Sequence, residues 1–270
     1  MIIRKLLGLS LILMIVGFSL SRAGAVSPAL STAVRPEQVP VLMYHKVSPY
    51  QEHGRLGLRI TPENFEQQVK HLKSQGYNTV SLDRLTEHWE TGTPLPARPV
   101  VLTFDDGYED NYLFAYPVLK KYGYTATIFL VYDDIEGYNE WETDKIRYPT
   151  VKLLSWSQIR EMQNWGISFQ SHTLTHPSLT WLSPEKVQHE VAQSKTELEN
   201  ALGTPVNYFA YPYGRCNWQV AGAVHRAGYK AALTTVKGRN DIGTDRYMLK
   251  RLGVNGKIDI TEFAQMMEGH

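Results

Sequence analysis

Short β-rich runs alternate with helical patterns from residue 40 to residue 252, and this alternation restricts the fold more than any other feature of the sequence. The run at residues 99–104 is apolar almost throughout, as expected of a strand buried on both faces. Alternating strands and helices build a mainly parallel sheet covered by helices, which is either open or closed into a barrel. Seven or eight strands over about 230 residues favour the barrel, an α/β fold in a single domain.

Other β-rich runs predict the remaining strands, at residues 41–44, 79–82, 126–131, 167–171, 208–210, 231–235 and 248–252. Helical periodicity and capping residues predict a helix after Thr61 and helices at residues 83–90, 155–165 and 184–202. Residues 133–151 lack periodicity, and a stretch of this length is more often a functional loop than a simple connector.

The first 25 residues have the three parts of a secretory signal peptide. A short basic segment precedes an apolar stretch at residues 6–20, and small residues allow cleavage after Ala25. An uncleaved N-terminal anchor is the alternative, although this stretch is shorter than the roughly 20 residues that span a bilayer. We expect a secreted or cell-envelope protein that touches the membrane only through this segment, with a linker at residues 26–38 and one domain at residues 39–270.

Composition excludes several classes of protein. Hydrophobic residues make up 43% and charged residues 20% of the chain, which fits neither a disordered protein nor a polytopic membrane protein. The net charge is only +1, and the chain beyond residue 25 is slightly acidic, so we expect no nucleic-acid partner. The single cysteine, Cys216, cannot form an internal disulfide, so the core must stabilise the domain, which we expect to be a monomer.

Candidate reactive residues follow the predicted strands, where such residues gather in parallel α/β folds. Asp105 and Asp106 end the strand at residues 99–104, although an ordinary Asp-Gly turn would also explain them. His172 and His176 follow another strand, and a helical turn would bring both imidazoles to one metal ion. Two histidines and a carboxylate form a metal-binding face with open coordination positions.

Two further strand ends carry candidates. His45 follows the strand at residues 41–44, although a single histidine more often has a structural role. Pro212 and Gly214 predict a rigid turn after residues 208–210, and backbone N–H groups of such a turn could face the site. We therefore expect all four strand ends to meet at one site.

The motifs Thr-Phe-Asp-Asp-Gly at 103–107 and His-Thr-Leu-Thr-His at 172–176 together resemble those of the polysaccharide deacetylases, the NodB homology domain of carbohydrate esterase family 4. The resemblance covers about residues 39–255 and implies a distorted (β/α) barrel of seven or eight mostly parallel strands. It also implies removal of N-acetyl groups from a polysaccharide that contains N-acetylglucosamine, with release of acetate. Val-Leu-Met-Tyr-His at 41–45 is most similar to the branch with poly-N-acetylglucosamine deacetylases.

The resemblance also implies roles for individual residues. Asp105 matches the catalytic base, and the Tyr213 N–H matches the group that supports the oxyanion. The implied ligands of a divalent metal ion, most often Zn²⁺, are Asp106, His172 and His176.

Two departures from the family pattern place other residues in the site. Ala210 stands where the third motif usually has arginine, and we expect Arg251 to replace that arginine by holding Asp105. The late Leu-x-His motif that carries the general acid is missing, and we expect His45 to serve instead.

Three other functions remain open at this point: a catalytically weak or inactive carbohydrate-binding protein, an O-acetyl xylan esterase and a glycosidase. A glycosidase needs two carboxylates that flank the bond, whereas neighbours on a strand are expected to face opposite sides. Several aromatic residues could stack on sugar rings, with burial in the core as the alternative for each: Tyr108, Trp141, Trp156, Trp181 and Trp218.

Overall fold

The structure is a computed structural model that describes residues 38–50, 57–141 and 150–269. The strands are β1 (Val41–Tyr44), β2 (Lys46–Val47), β3 (Arg59–Ile60), β4 (Asn78–Thr79), β5 (Pro99–Phe104), β6 (Thr127–Leu130), β7 (Ser168–Ser171), β8 (Tyr208–Ala210), β9 (Ala231–Lys237) and β10 (Leu249–Gly253). The helices are α1 (Pro62–Ser74), α2 (Leu82–Thr91), α3 (Tyr116–Tyr122), α4 (Trp156–Trp165), α5 (Pro184–Leu202), α6 (Trp218–Arg226) and α7 (Ile260–Glu268).

Seven parallel strands close a barrel in the order β1, β10, β9, β8, β7, β6 and β5, and β5 pairs again with β1. The eighth strand, β4, pairs with the beginning of β5, where Asn78 lies opposite Pro99. The end of β5 pairs with β6 instead, where Thr103 lies opposite Thr127. The ring is therefore irregular, and the predicted distorted (β/α) barrel in a single domain is confirmed.

Successive strand residues pack into two separate apolar clusters, because neighbours on a strand point to opposite faces. Val101 and Leu233 belong to one cluster, and Leu102 belongs to the other, together with Phe65 of α1 and Val191 of α5. All six residues of β5 are buried. Packing on both faces explains why this strand is apolar at nearly every position.

The predicted strand at residues 79–82 is wrong beyond Thr79. Ser81 caps the next helix, since its side chain accepts a hydrogen bond from the Arg84 N–H, and α2 begins at Leu82. A β-rich composition over four residues cannot reveal that the chain has already turned into a helix.

Because the barrel strands are parallel, the carboxyl ends of β1, β5, β7, β8 and β10 lie at the same end of the barrel. We call this end the barrel mouth. Residues 1–25 and nearly all of residues 26–38 lie outside the described residues, so the signal peptide and the linker stay predictions. Among the described helices, none combines the length and the apolar character of a membrane span.

Candidate active site

A cavity of about 500 Å³ opens at the barrel mouth and collects the residues predicted for the site. Six of them line it: His45, Asp105, Asp106, His172, His176 and Tyr213. The seventh, Arg251, is completely buried beside Asp105. Side chains that are far apart in sequence therefore meet at the site. Five of them follow the strands β1, β5 and β7, which are separated by other strands in the chain.

Asp106, His172 and His176 form a buried cluster of three potential metal ligands. The Nε2 atoms of His172 and His176 lie 3.4 Å and 3.3 Å from Asp106 Oδ1. Two donors bound to one Zn²⁺ at about 2.1 Å and at tetrahedral angles are about 3.4 Å apart. The donor types and their separations therefore fit a divalent ion such as Zn²⁺.

The protonation of His172 also favours metal binding. Its Nδ1 lies 2.7 Å from the Ala210 carbonyl oxygen, which can only accept a hydrogen bond. Nδ1 therefore carries a proton, which leaves Nε2 as the nitrogen that a metal ion at the cluster would bind. The alanine at the position of the usual arginine thus contributes its backbone to the site.

The segment from His172 to His176 does not form the helical turn that would bring two histidines at this spacing together. Thr173 and His176 have positive φ angles of 74° and 58°, and the Thr173 hydroxyl accepts a hydrogen bond from the His176 N–H at 2.9 Å. Glu190 of α5 accepts hydrogen bonds from the backbone of Leu174 and Thr175. These contacts hold the two imidazole rings 4.9 Å apart without a helix.

Both adjacent carboxylates line the same cavity, which corrects the expectation that they face opposite sides. β5 ends at Phe104, and Asp106 has a φ angle of 76°. The following Gly107 also has a positive φ, and a Cβ there would lie 2.7 Å from Leu130 Cδ2. This tight left-handed turn redirects Asp106 toward the histidines.

Asp105 is held by a buried bidentate ion pair. Arg251 Nη1 and Nη2 each donate a hydrogen bond of 2.7 Å to one oxygen of Asp105, and Arg251 Nε donates to the Thr234 carbonyl. Burial acts to raise the pKa of Asp105, but the charge and hydrogen bonds of Arg251 outweigh burial and hold that pKa below its ordinary value. Asp105 is therefore an ionised carboxylate with a fixed orientation, and the carboxylate oxygen that lies near both histidines belongs to Asp106.

Replacing Arg251 with alanine is expected to destabilise the fold by about 3–5 kcal/mol, because Asp105 would stay buried without its partner. Arg84→Ala is the matched control, since it breaks an exposed pair with Glu87 and should cost at most about 1 kcal/mol. Chemical denaturation at neutral pH measures the free energy of unfolding of both variants. Because the pKa of Asp105 is lowered in the folded protein, the stability that this ion pair contributes is lost as the pH falls below about 4. The free energies of unfolding of the two variants should therefore converge at low pH. Equal destabilisation of the two variants would contradict the role of this pair.

His45 lies directly after β1 and faces Asp105. Its Nε2 is 3.9 Å from Asp105 Oδ2, its side chain is 16% exposed, and its backbone carbonyl accepts a hydrogen bond from Asn111. Burial lowers the pKa of His45 below its ordinary value, and the charges of Asp106 and Asp105 oppose this only in part. His45 is therefore neutral at pH 7 in the resting protein.

Burial acts to raise the pKa of Asp106 as well, but its contacts with His172 and His176 outweigh burial and hold that pKa well below its ordinary value. Asp106 is therefore ionised, which is the state that binding of a metal ion would require.

Tyr213 lies in the turn Pro212–Gly214 after β8, with a φ angle of 60°. Its ring packs against His176 with centroids 4.7 Å apart and is half exposed at the cavity rim. A non-glycine residue held in the left-handed region is common at functional sites.

Sequence reasoning assigned none of three further residues to the catalytic or metal-binding groups of the site. Trp141 packs its ring 4.5 Å from that of His176, and Tyr108 lines the cavity beside Asp106. Burial and the charge of Asp106 raise the pKa of Tyr108, so its hydroxyl stays protonated. Glu190 supports the histidine segment from inside a long helix, where no sequence signal separates it from other acidic residues. The two aromatic residues had appeared only as general candidates for stacking on sugar rings.

Comparisons with known proteins are consistent with this site. The profile of the family described as polysaccharide deacetylase matches residues 92–232. The Bacillus subtilis (strain 168) protein YxkH, whose name places it among the polysaccharide deacetylases, is 33% identical over 234 residues, 87% of this chain and 77% of that protein. The poly-beta-1,6-N-acetyl-D-glucosamine N-deacetylase of Staphylococcus epidermidis is 27% identical over 205 residues, 73% of this chain and 68% of that protein.

The fold is similar to that of a solved deacetylase. The deacetylase PplD of Streptococcus pyogenes, solved in complex with acetate, superposes with a TM-score of 0.74 and 30% sequence identity. The superposition covers 85% of this chain and 98% of that chain. The likeness therefore extends over the barrel as a whole and is not limited to the two motifs.

Proposed function

This chain belongs to the polysaccharide deacetylase family of hydrolases, and we propose that it removes N-acetyl groups from a polysaccharide that contains N-acetylglucosamine, with a divalent metal ion as cofactor. The convergence of Asp105, Asp106, His172, His176 and His45 in one cavity carries this proposal. A relative named as a poly-N-acetylglucosamine N-deacetylase supports the substrate class. Acetate, found in a deacetylase of similar fold, is the product that such hydrolysis releases.

Asp106, His172 and His176 would hold the ion, and their donor set favours Zn²⁺. An ion held there supplies a Lewis acid for the acetamide carbonyl and makes a water molecule more acidic. The residues themselves exclude bulk water, because all three are at least 95% buried.

Asp105 would remove the proton of the attacking water. Arg251 keeps the carboxylate ionised and fixes both of its oxygens, so its orientation is set before substrate binds. The backbone N–H of Tyr213 would stabilise the charge that develops on the acetamide oxygen.

His45 would donate a proton to the departing amine. Since its pKa lies below the ordinary value, the ring must first gain that proton during the reaction. Asp105 Oδ2 is 3.9 Å from His45 Nε2, close enough to pass a proton through a small movement or one water molecule. An imidazole that is neutral in the resting protein and gains a proton after the attack of water can act as the general acid when the amine departs.

His45→Ala is expected to lower kcat by roughly 10²-fold or more, the usual contribution of a general acid, while metal content and folding stay intact. Steady-state kinetics on an acetamide and on an acetyl ester with a good leaving group measure the effect. The loss should be smaller for the ester, because such a group departs without a proton. Equal losses on both substrates, accompanied by lower stability, would indicate that His45 only packs at the barrel mouth.

Product analysis tests the proposed reaction. Incubation with an N-acetylglucosamine polymer should release acetate and free amines in equal amounts, without new reducing ends. New reducing ends would indicate a glycosidase, and acetate from acetylated xylan alone would indicate an O-acetyl esterase. If neither acetate nor reducing ends were released, the protein would be a carbohydrate-binding protein without activity.

We also propose that the protein acts outside the cytoplasmic membrane, as a monomer exported through residues 1–25. The apolar stretch at residues 6–20 and the small residues before position 26 support export. Its polymer substrate would then lie in the cell envelope or outside the cell.

A further inference from the structure

A row of exposed planar side chains leads away from the cavity. Trp181 is 77% exposed and Tyr213 is 52% exposed, and Arg215 lies between them on the surface. The Arg215 guanidinium lies 4.3 Å from the ring centroid of Trp181 and 5.9 Å from that of Tyr213. We call Tyr213, Arg215 and Trp181 the aromatic ledge.

The aromatic ledge is continuous with the candidate active site. Tyr213 packs on His176 inside the cavity, so three successive contacts, from His176 to Tyr213, from Tyr213 to Arg215 and from Arg215 to Trp181, lead from a metal-ligand candidate to Trp181. Along this path, Tyr213 and Arg215 separate Trp181 from the triad. A group that contacts Trp181 would therefore belong to another unit of the same chain.

The backbone holds the aromatic ledge in place. Trp181 ends the short helical turn Leu179–Trp181, which begins three residues after His176 and is anchored by the buried Leu179. Arg215 Nη1 donates a hydrogen bond to Ser178 Oγ at 3.3 Å, which joins the two loops. Tyr213 precedes Gly214, where a Cβ would lie 2.0 Å from Thr235 Oγ1. A surface that is ordered before binding loses little entropy when a ligand binds.

A second cavity, of about 280 Å³, extends this surface. It is lined by Leu179 and Leu182, which flank Trp181 in sequence, and by Trp218, which is 82% exposed. A single exposed apolar residue is unremarkable, but exposed tryptophans on a cavity and on a ledge that share neighbouring residues favour a binding surface. Such a surface would extend away from the active-site cavity, as an elongated ligand requires.

We propose that the aromatic ledge binds a second sugar ring of the polysaccharide, at a distance from the unit that is deacetylated, so that the enzyme prefers long chains. This inference rests on the proposed function. Indole rings offer flat apolar faces for the C–H face of a pyranose, and a guanidinium supplies hydrogen-bond donors for its hydroxyl and acetyl oxygens.

The test measures kcat/KM for N-acetylglucosamine oligosaccharides from the dimer to the hexamer. The unmutated protein should prefer the hexamer, and Trp181→Ala should lower the ratio of hexamer to dimer kcat/KM about tenfold, as expected for an aromatic anchor. Trp181→Tyr should keep most of the preference, because it keeps a flat ring. Since Trp181 is largely exposed, the thermal unfolding temperature of both variants should match that of the unmutated protein.

Trp165→Ala is the matched control. Trp165 is also exposed, but it ends α4 just before β7 begins, at the end of the barrel opposite the mouth. Its removal should leave the length preference unchanged. An active protein without a length preference, or a Trp181→Ala variant that keeps the preference, would overturn this inference. Failure of the proposed function would look different, because the unmutated protein would then release no acetate from an oligosaccharide of any length.

Discussion

His172→Ala is expected to remove both the bound metal ion and the activity, with a loss of acetate release of about 10³-fold or more. The imidazole is one of the three proposed ligands, and losing it would remove the Lewis acid, which contributes several kcal/mol to stabilising the transition state. Metal content by elemental analysis and acetate release should fall together.

His189→Ala provides the control, because His189 is an exposed histidine on α5 that lies outside the triad. It should keep the metal content and activity of the unmutated protein. A His172→Ala variant that retained one ion per chain and normal turnover would show that the metal lies elsewhere.

Asp105→Asn and Asp106→Asn are expected to behave differently, although the two residues are adjacent, buried and carry the same functional group. Asp105→Asn should keep the metal, because Asp105 pairs with Arg251, but should lower kcat by about 10²–10⁴-fold through loss of the general base. Asp106→Asn should lose the metal, because its Oδ1 is the atom shared between the histidines.

The two aspartate variants serve as controls for each other. Metal content, turnover per folded molecule and denaturation midpoint should be measured for both, since Asp105→Asn also weakens the buried pair with Arg251. Metal-free protein from both variants, or metal-loaded protein from both, would contradict the assignment of base and ligand.

The barrel and the identity of the clustered residues could be predicted from the sequence, because both follow from local patterns. The bounds of β1 and β8 agree with the β-rich runs at residues 41–44 and 208–210. Parallel strands then bring their carboxyl ends together whatever the lengths of the loops between them. This is why residues as far apart as His45 and His176 could be placed in one site.

The detailed geometry of the site could not be predicted, because it depends on contacts between distant segments. The positive φ angles of Thr173 and His176 occur at residues that usually avoid this region, and no sequence signal indicates them, whereas the Asp-Gly pair at 106–107 is typical of turns with positive φ angles. The support of the histidine segment by Glu190 depends on how α5 packs against β7. Loop residues such as Trp141 enter the cavity through tertiary packing alone.

The most direct test of the central claim measures acetate release from an N-acetylglucosamine polymer by metal-depleted protein before and after addition of Zn²⁺. We predict no release by the depleted protein and full recovery at one ion per chain, with no recovery in His172→Ala. Full activity of the metal-depleted protein would contradict the account.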